Sequence, residues 1–467
     1  MRTPAPLLLA LALGACVAGP PPEIATPTPE LPQDFFYRGD AATEASLSAL
    51  LPSDDPAYQA LSEAALANSP GLGEALARVE AARAGARRAG AERLPSIGAE
   101  ASITGQRTNP NQFGGNNPFA QQIDTEQVSY GANLTARWDP DIFGRLKAQE
   151  RAAIARIDAA SASASAVRIA LLAEIAGSVI DWRTIEARTA ALEADVEAAL
   201  RLAALAKSRE DAGISPGFDR VRAEAQASAS RSRLAALRSE QARIVGRLVT
   251  LTGNGAAQVN AALLQPGPAL APSPAPAAQP SDLLANRPDV LAAASELAAT
   301  DAELASAARA RFPRITLSAV VGLLAFDPGD LFDEDSTVGT LAAGVAAPLL
   351  DFGRIEAEID GAAANKKAAF AAYRGAVFQA LGDAEAAYGL TEAADTEAVL
   401  AVRERDELER AASLADTRYR AGLASFLEVL EARRAADASG ERAAAALGRA
   451  ARARVLLWQA LGGEPIR

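Results

Sequence analysis

Alternating apolar and polar residues mark four short segments of this chain as strands. In the segment from Val128 to Asp139, one face would carry Val128, Tyr130, Ala132, Leu134, Ala136 and Trp138. Apolar stripes with the same period occupy 97–103, 315–323 and 341–347, the last within a fourth predicted strand over about 338–349. Each segment is about 10 to 12 residues long, which suits a tilted strand that crosses a bilayer with one face toward lipid. A half-buried sheet in a soluble protein has the same alternation, so both interpretations stay open from the pattern alone.

Apolar positions spaced by three and four residues predict long helices elsewhere. We expect helices over about 71–93, 145–208 and 216–252, and again over 289–311, 354–417 and 424–461. Prolines 95 and 313 disfavour helix in the residue before them, and Gly213 and Gly422 suit left-handed helix ends. Each long helix of about 64 residues would span roughly 95 Å. A two-helix coiled-coil stalk has the same period, but the strands between the helices argue against it.

The order of helix, strand, strand and long helix occurs twice. Pro95 and Pro313 lie 218 residues apart, whereas Gly144 and Gly353 lie 209 residues apart. The offset therefore changes by 218 − 209 = 9 residues between the two strands, where a surface loop tolerates a change in length. A duplicated unit of this kind is a scaffold for building a tube.

Four strands cannot close a barrel by themselves. An open strand edge in lipid leaves backbone groups without hydrogen bonds, at several kcal/mol for each group. If the apolar stripes face lipid, the barrel is therefore completed by further copies of the chain.

The N-terminus predicts export and a lipid anchor. Arg2 precedes an apolar run over 7–13, which is too short to span a bilayer as a helix and is typical of a signal peptide. The segment that ends in Cys16 resembles a bacterial lipoprotein signal, in which this thiol is acylated and becomes the first mature residue. Val17 after the cysteine favours sorting to the outer membrane by the same resemblance. An ordinary secretory signal with an incidental cysteine is the alternative.

Composition narrows the possible chemistry. The chain has 467 residues, no histidine, one methionine and one cysteine, so sites built on imidazole, several thiolates or thioethers are excluded. A net charge of −12 disfavours a nucleic-acid partner. Without histidine, no nucleophile has a plausible base partner. We therefore predict no enzyme activity, no cofactor and no metal.

Several motifs in order resemble a known family. They are the segments 280–289, 311–315, 138–145, 419–422 and 426–431, which read PSDLLANRPD, RFPRI, WDPDIFGR, YRAG and FLEVLE. They are similar to the signature segments of TolC-like outer-membrane efflux proteins. The nearest resemblance is to the lipoprotein branch (OprM/NodT type) that serves tripartite resistance-nodulation-division pumps.

That resemblance implies an α+β membrane protein, a trimeric TolC-like channel-tunnel with internal duplication. A 12-stranded β-barrel, shared with four strands per chain, would lie in the outer membrane, and a long α-helical barrel would extend into the periplasm. The domains would be a signal peptide (1–15), a lipidated tether (16–57), two efflux-protein repeats (58–254 and 282–467) and, between the repeats, an extended Pro/Ala-rich connector (255–281).

The same resemblance implies a closable aperture at the helix-hairpin tips, Gly213 and Gly422. The gate residues carried over by position are Tyr419, Glu428, Glu431, Asp219, Arg418 and Arg420. Carboxylates in a narrow pore favour cations, and nearby arginines are candidate partners for them. Alternatively, these residues are solvated charges on a helix surface.

The implied function is a passive exit duct for drugs and toxic compounds. Its implied partners are two further copies of the chain, a periplasmic adaptor, an inner-membrane pump of the resistance-nodulation-division class and outer-membrane lipid. A TolC-like component of type I protein secretion is an alternative function. A periplasmic adaptor is less consistent, since an adaptor has one helical hairpin and this chain has two.

Overall fold

The computed structural model describes residues 23–38, 47–109, 126–271 and 273–463. In chain order its helices and strands are α1 (Pro56–Asn68), α2 (Pro70–Ala91), β1 (Ser96–Arg107), β2 (Glu126–Trp138), α3 (Arg145–Asp211), α4 (Phe218–Thr252), α5 (Ala256–Leu263), α6 (Asp282–Asn286), α7 (Pro288–Arg309), β3 (Arg314–Ala325), β4 (Thr337–Ala346), α8 (Arg354–Arg420) and α9 (Phe426–Ala460). The described part of the chain is mostly helical, with one small antiparallel sheet.

The two copies have elements of matching length. Helices α2 and α7 have 22 residues each, α3 and α8 have 67 each, and α4 and α9 have 35 each. The helix bounds fall within about three residues of those predicted from proline, glycine and apolar spacing. Helix α3 contains a window apolar enough to cross a membrane by composition, but 56% of that window is buried inside the protein, as in a core helix.

The strands form one antiparallel sheet in the order β1-β2-β3-β4. Tyr130 pairs with Ile103 on β1, and Leu134 pairs with Val321 on β3. Ala319 in turn pairs with Leu341 on β4. Directly opposed residues share a face, so the four predicted apolar stripes lie side by side on one face. The fourth strand was predicted to reach residue 349; it ends at Ala346, shortly before Pro348, which has no N–H to donate.

Neither outer edge of this sheet has a partner in the described part of the chain. Every residue of β1 and of β4 is exposed, as are the large apolar side chains Ile97, Ile103, Leu341 and Val345. A sheet with two free edges and an apolar face is incomplete as a membrane barrel.

The chain divides into two compact units. The first contains Glu80–Asp158 and Ser295–Ala371, together with the described residues of Met1–Thr26. Besides the sheet, its core is a small cluster of Leu304, Ile355, Ile359 and Ala363.

The second unit contains Pro27–Val79, Ala159–Ala294 and Ala372–Arg467. Its main apolar core includes Ile175, Val179, Leu192, Leu248 and Trp458. These side chains come from α3, α4 and α9, so helices of both copies share the core.

The connector between the copies is partly helical. We expected an extended Pro/Ala-rich segment over 255–281, but α5 occupies its first part. The prolines begin only at Pro266, and Gln258 accepts a hydrogen bond from the N–H of Gly255 at 3.3 Å, which caps the helix. The alanines before that proline therefore adopt their preferred helical conformation.

Arg183 of α3 joins this connector to the start of α1. Its Nε donates to Asp55 Oδ2 at 2.8 Å and its Nη2 to Asp55 Oδ1 at 3.0 Å, a bidentate pair. The guanidinium also donates to the carbonyls of Leu263 and Gln265, at 3.1 and 2.7 Å. Asp55 in turn caps α1 by accepting from the N–H of Ala57. Three chain segments thus meet at one buried cation.

Replacing Arg183 by Met is expected to destabilise this junction by about 3–5 kcal/mol, because Asp55 would keep a buried charge without its partner. The free energy of opening α1, measured by native-state hydrogen exchange, checks this value. Arg403→Met is the matched control, since it removes an exposed ion pair with Glu407 and should change stability by about 1 kcal/mol or less. Equal effects of the two substitutions would contradict the role assigned to Arg183.

Candidate functional site at the helix-hairpin tips

Both helix hairpins reverse direction through the same turn. Helices α3 and α4 form hairpin 1, and α8 and α9 form hairpin 2. Gly213 and Gly422 have φ values of +70° and +73°. The N–H of Ile214 bonds to the carbonyl of Arg209, and the N–H of Leu423 bonds to that of Arg418, both at 2.8 Å. These are Schellman ends, in which glycine adopts the left-handed conformation at little cost.

Ion pairs hold the tip of hairpin 1. Arg220 Nε donates to Glu210 Oε2 at 3.0 Å, and Arg220 Nη1 donates to Glu224 at 3.0 Å. Asp219 lies half-buried in the first turn of α4. The guanidinium of Arg222 lies 4.3 Å from the ring centroid of Phe218. This tip is therefore polar, with an exposed aromatic ring at its base.

An apolar cluster holds the tip of hairpin 2. Tyr419, which occupies the position of Glu210 in the second copy, is only 3% exposed. The tip cluster comprises Leu202, Ala203, Ala206, Ala223, Tyr419, Phe426, Val429 and Leu430. Because these residues come from α3, α4, α8 and α9, the cluster joins both hairpins of one chain.

The guanidinium of Arg209 lies over the ring of Tyr419. Its guanidinium carbon lies 4.8 Å from the centroid of the tyrosine ring, a distance typical of a cation–π contact. Burial raises the pKa of Tyr419, and the positive charge of Arg209 opposes that rise. The sequence did not point to Arg209, because the two residues lie in different copies and no local spacing relates them.

Glu428 caps helix α9. Its carboxylate accepts from the N–H of Ser425 at 2.6 Å, and its own N–H donates to Ser425 Oγ at 3.2 Å. Hydrogen bonds from Ser425 lower the pKa of Glu428, and nearby Arg418 lowers it further. The Ser-x-x-Glu sequence before an apolar run is a capping box, so the sequence contained this signal.

The remaining predicted gate residues are exposed side chains of hairpin 2. Arg418 Nη2 donates to the carbonyl of Leu423 at 3.5 Å, and Arg420 pairs with Asp416 at 3.0 Å. Glu431 makes no ion pair within the described residues. The structure thus brings Arg418 close to Glu428, while Arg420 is held by another carboxylate.

A buried pair of carboxyl groups links the hairpins farther from the tip. Asp195 of α3 and Asp437 of α9 are 7% and 5% exposed, and each has a buried Oδ2 with no hydrogen-bond partner among the described atoms. Burial, followed by the neighbouring Asp437, raises the pKa of Asp195 to about 8. Burial also raises the pKa of Asp437. A proton shared by the two carboxyl groups satisfies this arrangement.

Charged groups from the neighbouring helices surround this pair. Arg233 of α4 and Arg433 of α9 favour ionisation, and Glu441 and Glu409 oppose it. Arg233 is itself hydrogen-bonded to Glu441, and Arg433 lies 3.0 Å from Glu409, so much of the positive charge is already compensated.

The predicted lipid-facing residues lie on the shared apolar face of the sheet. Val128, Leu134 and Trp138 are exposed and Tyr130 is half-buried. Trp138 Nε1 donates to the carbonyl of Arg93 at 2.9 Å, so its polar atom is satisfied while its ring stays exposed. Cys16, the predicted lipidation site, lies outside the described residues. No group of three or more potential metal ligands occurs within the described residues.

The chain is similar in sequence to known outer membrane efflux proteins. The family model for outer membrane efflux proteins matches residues 61–254 and 279–463. The chain is 28% identical over 410 residues to the pyoverdine export outer membrane protein OpmQ of Pseudomonas aeruginosa, with 87% of this chain and 85% of that protein covered. It is 30% identical over 455 residues to outer membrane protein OprJ of the same species, with 93% and 91% covered.

Solved structures share the fold. The outer-membrane channel OprN superposes with a TM-score of 0.85 at 26% identity, covering 95% of this chain and 99% of that one. VceC of Vibrio cholerae, an outer membrane protein, superposes with a TM-score of 0.77 at 25% identity, covering 87% and 96%.

Because the protonated form of Asp195 is favoured only in the folded state, stability should fall as pH rises from about 4 to about 8, by at most about 1.4 kcal/mol per pH unit. Asp195→Asn should flatten this dependence, since an amide bonds to Asp437 without titrating. Thermal unfolding of the detergent-solubilised protein at pH 6 and pH 9 measures the difference. Asp406→Asn, at an exposed ion pair, is the control. If Asp195→Asn loses as much stability between pH 6 and pH 9 as the parent protein does, the shared proton is ruled out.

Proposed function

The chain belongs to the outer membrane efflux protein family, and on that premise we propose that it is the passive exit duct of a tripartite efflux system. The observation that carries the proposal is the sheet, whose one apolar face and two free edges suit a barrel completed in lipid by other copies. An adaptor and an inner-membrane pump supply substrate and work. The duct performs no chemical step.

Three copies complete the channel in this proposal. Twelve strands would then form the shared barrel, and all backbone groups at the β1 and β4 edges would find partners. Hairpins 1 and 2 of each copy would surround the periplasmic aperture. Relatives export pyoverdine or act in solvent efflux. The substrates proposed for this chain are accordingly small molecules.

The aperture is proposed to be controlled at the tip of hairpin 2. Tyr419 and Arg209 join the two hairpins of one copy, so their contact opposes separation of the hairpins. Glu428 and Glu431 would add exposed negative charge to the pore, six carboxylates in a trimer. Such a ring favours cations. The capping function of Glu428 fixes the position of its charge.

Single-channel recording in planar bilayers tests the duct and its gate together. We expect cation-selective conductance, with reduced selectivity in Glu428→Gln/Glu431→Gln, because glutamine keeps the capping box but removes the charge. Tyr419→Ala should raise the open probability. The control is Glu63→Gln, an exposed carboxylate on α1. Unchanged selectivity in the double variant would refute the gate assignment, whereas absence of conductance even in Tyr419→Ala would refute the duct.

A lipid on Cys16 is the proposed anchor of the N-terminus. Its support is the position of the only cysteine directly after a short apolar signal. Metabolic labelling with a fatty acid should mark the parent protein, and Cys16→Ser should lose the label. A labelled Cys16→Ser variant would contradict the proposal.

A further inference from the structure

A single buried stripe runs along α3 toward the tip of hairpin 1. Its members, spaced by three and four residues, are Leu192, Asp195, Ala199, Leu202 and Ala206, and none is more than 7% exposed. Leu202 and Ala206 belong to the tip cluster. Asp195 is the one ionisable side chain in this stripe, so a carboxyl group interrupts apolar packing that otherwise continues to the tip.

Helix α9 carries the matching carboxyl group. Asp437 follows Leu430 of the tip cluster by seven residues, which places both on one face of the helix. Asp195 and Asp437 interact across the contact between α3 and α9, and each has a buried Oδ2 with no hydrogen-bond partner among the described atoms. At about 1.5 Å per residue, the two groups lie roughly 17 to 24 Å from the hairpin turns. The Asp195–Asp437 pair thus connects hairpin 1 to hairpin 2.

The duplication does not account for this pair. The position of Asp195 corresponds to Glu404 in the second copy, and the position of Asp437 corresponds to Ser228 in the first. Glu404 is exposed and lies 2.7 Å from Arg442, and Ser228 is exposed and carries no charge. A buried pair of carboxyl groups is therefore particular to the contact between α3 and α9.

The surroundings of the pair provide little uncompensated positive charge. The groups that face it are Arg233 and Gln226 of α4, Arg433 and Glu441 of α9, and Glu409 of α8. Arg233 and Arg433 are already paired with Glu441 and Glu409, and Arg188 of α3 lies 3.7 Å from Glu441.

One neutral donor remains for the pair. Gln226 Oε1 accepts from Arg434 Nε at 2.9 Å, and the amide group of Gln226 also bonds to Asp437. With one shared proton, the two carboxyl groups are therefore satisfied. Without that proton, two negative charges share a buried contact, which is unfavourable because neither is hydrated or paired.

The side chain that usually titrates near neutral pH is missing from this chain, which has no histidine. Burial raises the pKa of Tyr419 above its usual value near 10, and hydrogen bonds from Ser425 lower the pKa of Glu428. Both of these residues therefore keep one charge state between pH 6 and pH 8. Asp195, whose pKa is raised by burial to about 8, changes its charge in this range.

We propose that the Asp195–Asp437 pair is a proton-dependent link between hairpins 1 and 2 that controls the aperture. While the pair shares one proton, α3 stays joined to α9. When the proton leaves to solvent, the two carboxylates repel each other and become hydrated by moving apart, so the contact opens toward the tip. This inference rests on the proposed exit duct and adds its regulation by pH.

The direction of the pH effect follows from the two arrangements of the hairpins. In the joined arrangement the pKa of Asp195 is about 8, whereas a separated carboxyl group in water has a pKa of about 3.9. Opening therefore releases a proton at any pH between these values, and rising pH favours it. The ratio of open to closed channels should increase by up to tenfold per pH unit for each pair that separates, and level off above about pH 8.

Single-channel recording at pH 6 and pH 8 tests this link. The recordings use the Tyr419→Ala background, because its weakened tip makes openings frequent enough to count. We expect the ratio of open to closed channels to be at least tenfold higher at pH 8. Asp195→Asn and Asp437→Asn should each remove the dependence, since an amide donates to the remaining carboxylate at both pH values. A ratio that stays constant or falls as pH rises would overturn the link.

Two controls separate the pair from other carboxylates. Glu404→Gln changes the repeat-related position of Asp195 and should keep the full pH dependence. Glu428→Gln/Glu431→Gln removes charge at the proposed aperture and should also keep it, although cation selectivity falls. If a control loses the dependence while Asp195→Asn retains it, the response belongs to other groups and the link is overturned.

Infrared difference spectroscopy of the detergent-solubilised protein observes the proton without relying on conductance. Between pH 6 and pH 9, the carbonyl stretch of a protonated carboxyl group should disappear from the spectrum of the parent protein. Asp195→Asn should lack this change, and Glu404→Gln should show it in full. Absence of the band from the parent protein at pH 6 would overturn the shared proton and the link together.

The outcomes distinguish this inference from the proposed function. Conductance in Tyr419→Ala with no pH dependence would overturn the link and leave the duct intact. Absence of conductance in Tyr419→Ala at both pH values would overturn the duct itself, and the control of its aperture with it. A pH-dependent ratio that is lost in both asparagine variants and kept in both controls supports the link.

Discussion

The pairing of backbone groups at the edges of one four-stranded sheet is the constraint on which the rest of this protein depends. In water an exposed strand edge is tolerated, but in hydrocarbon each unpaired N–H or C=O group costs several kcal/mol. The register places the apolar residues of all four strands on one face. Within the described residues this sheet has two edges without partners, and the proposed function completes them with further copies of the chain.

Duplication of one unit supplies all four strands of the sheet. The two copies differ in sequence where the elements packed against them differ. The long helices α3 and α8 have the same length, 67 residues each. Residues at corresponding positions of the two copies have changed where only one copy has a neighbour within the chain. The exposed Phe352 and the stacked Phe143 occupy corresponding positions and differ only in whether a neighbour is present in one chain.

Charged residues near the helix-hairpin tips have structural functions, and the proposed gate would use some of the same residues. Glu428 caps a helix, Glu210 bonds across a turn, and Arg209 lies over a buried tyrosine. A charge whose position is fixed by such bonds presents a defined electrostatic field. Rigid attachment of ionised groups is therefore compatible with control of ion passage in a narrow opening.

The sequence alone determined the elements, because their signals are local. Proline and glycine set the ends of helices, and the periods of two and about 3.6 residues set their faces, so the apolar face of Leu134 and the turn at Gly422 were predictable. The capping box at Ser425 was also readable, although we predicted only the charge of Glu428. Tertiary structure alone brought together Asp195 with Asp437, Arg183 with Asp55, and Arg209 with Tyr419. These partners lie more than a hundred residues apart, and no sequence period encodes which helix faces which, since that choice depends on packing of the whole chain.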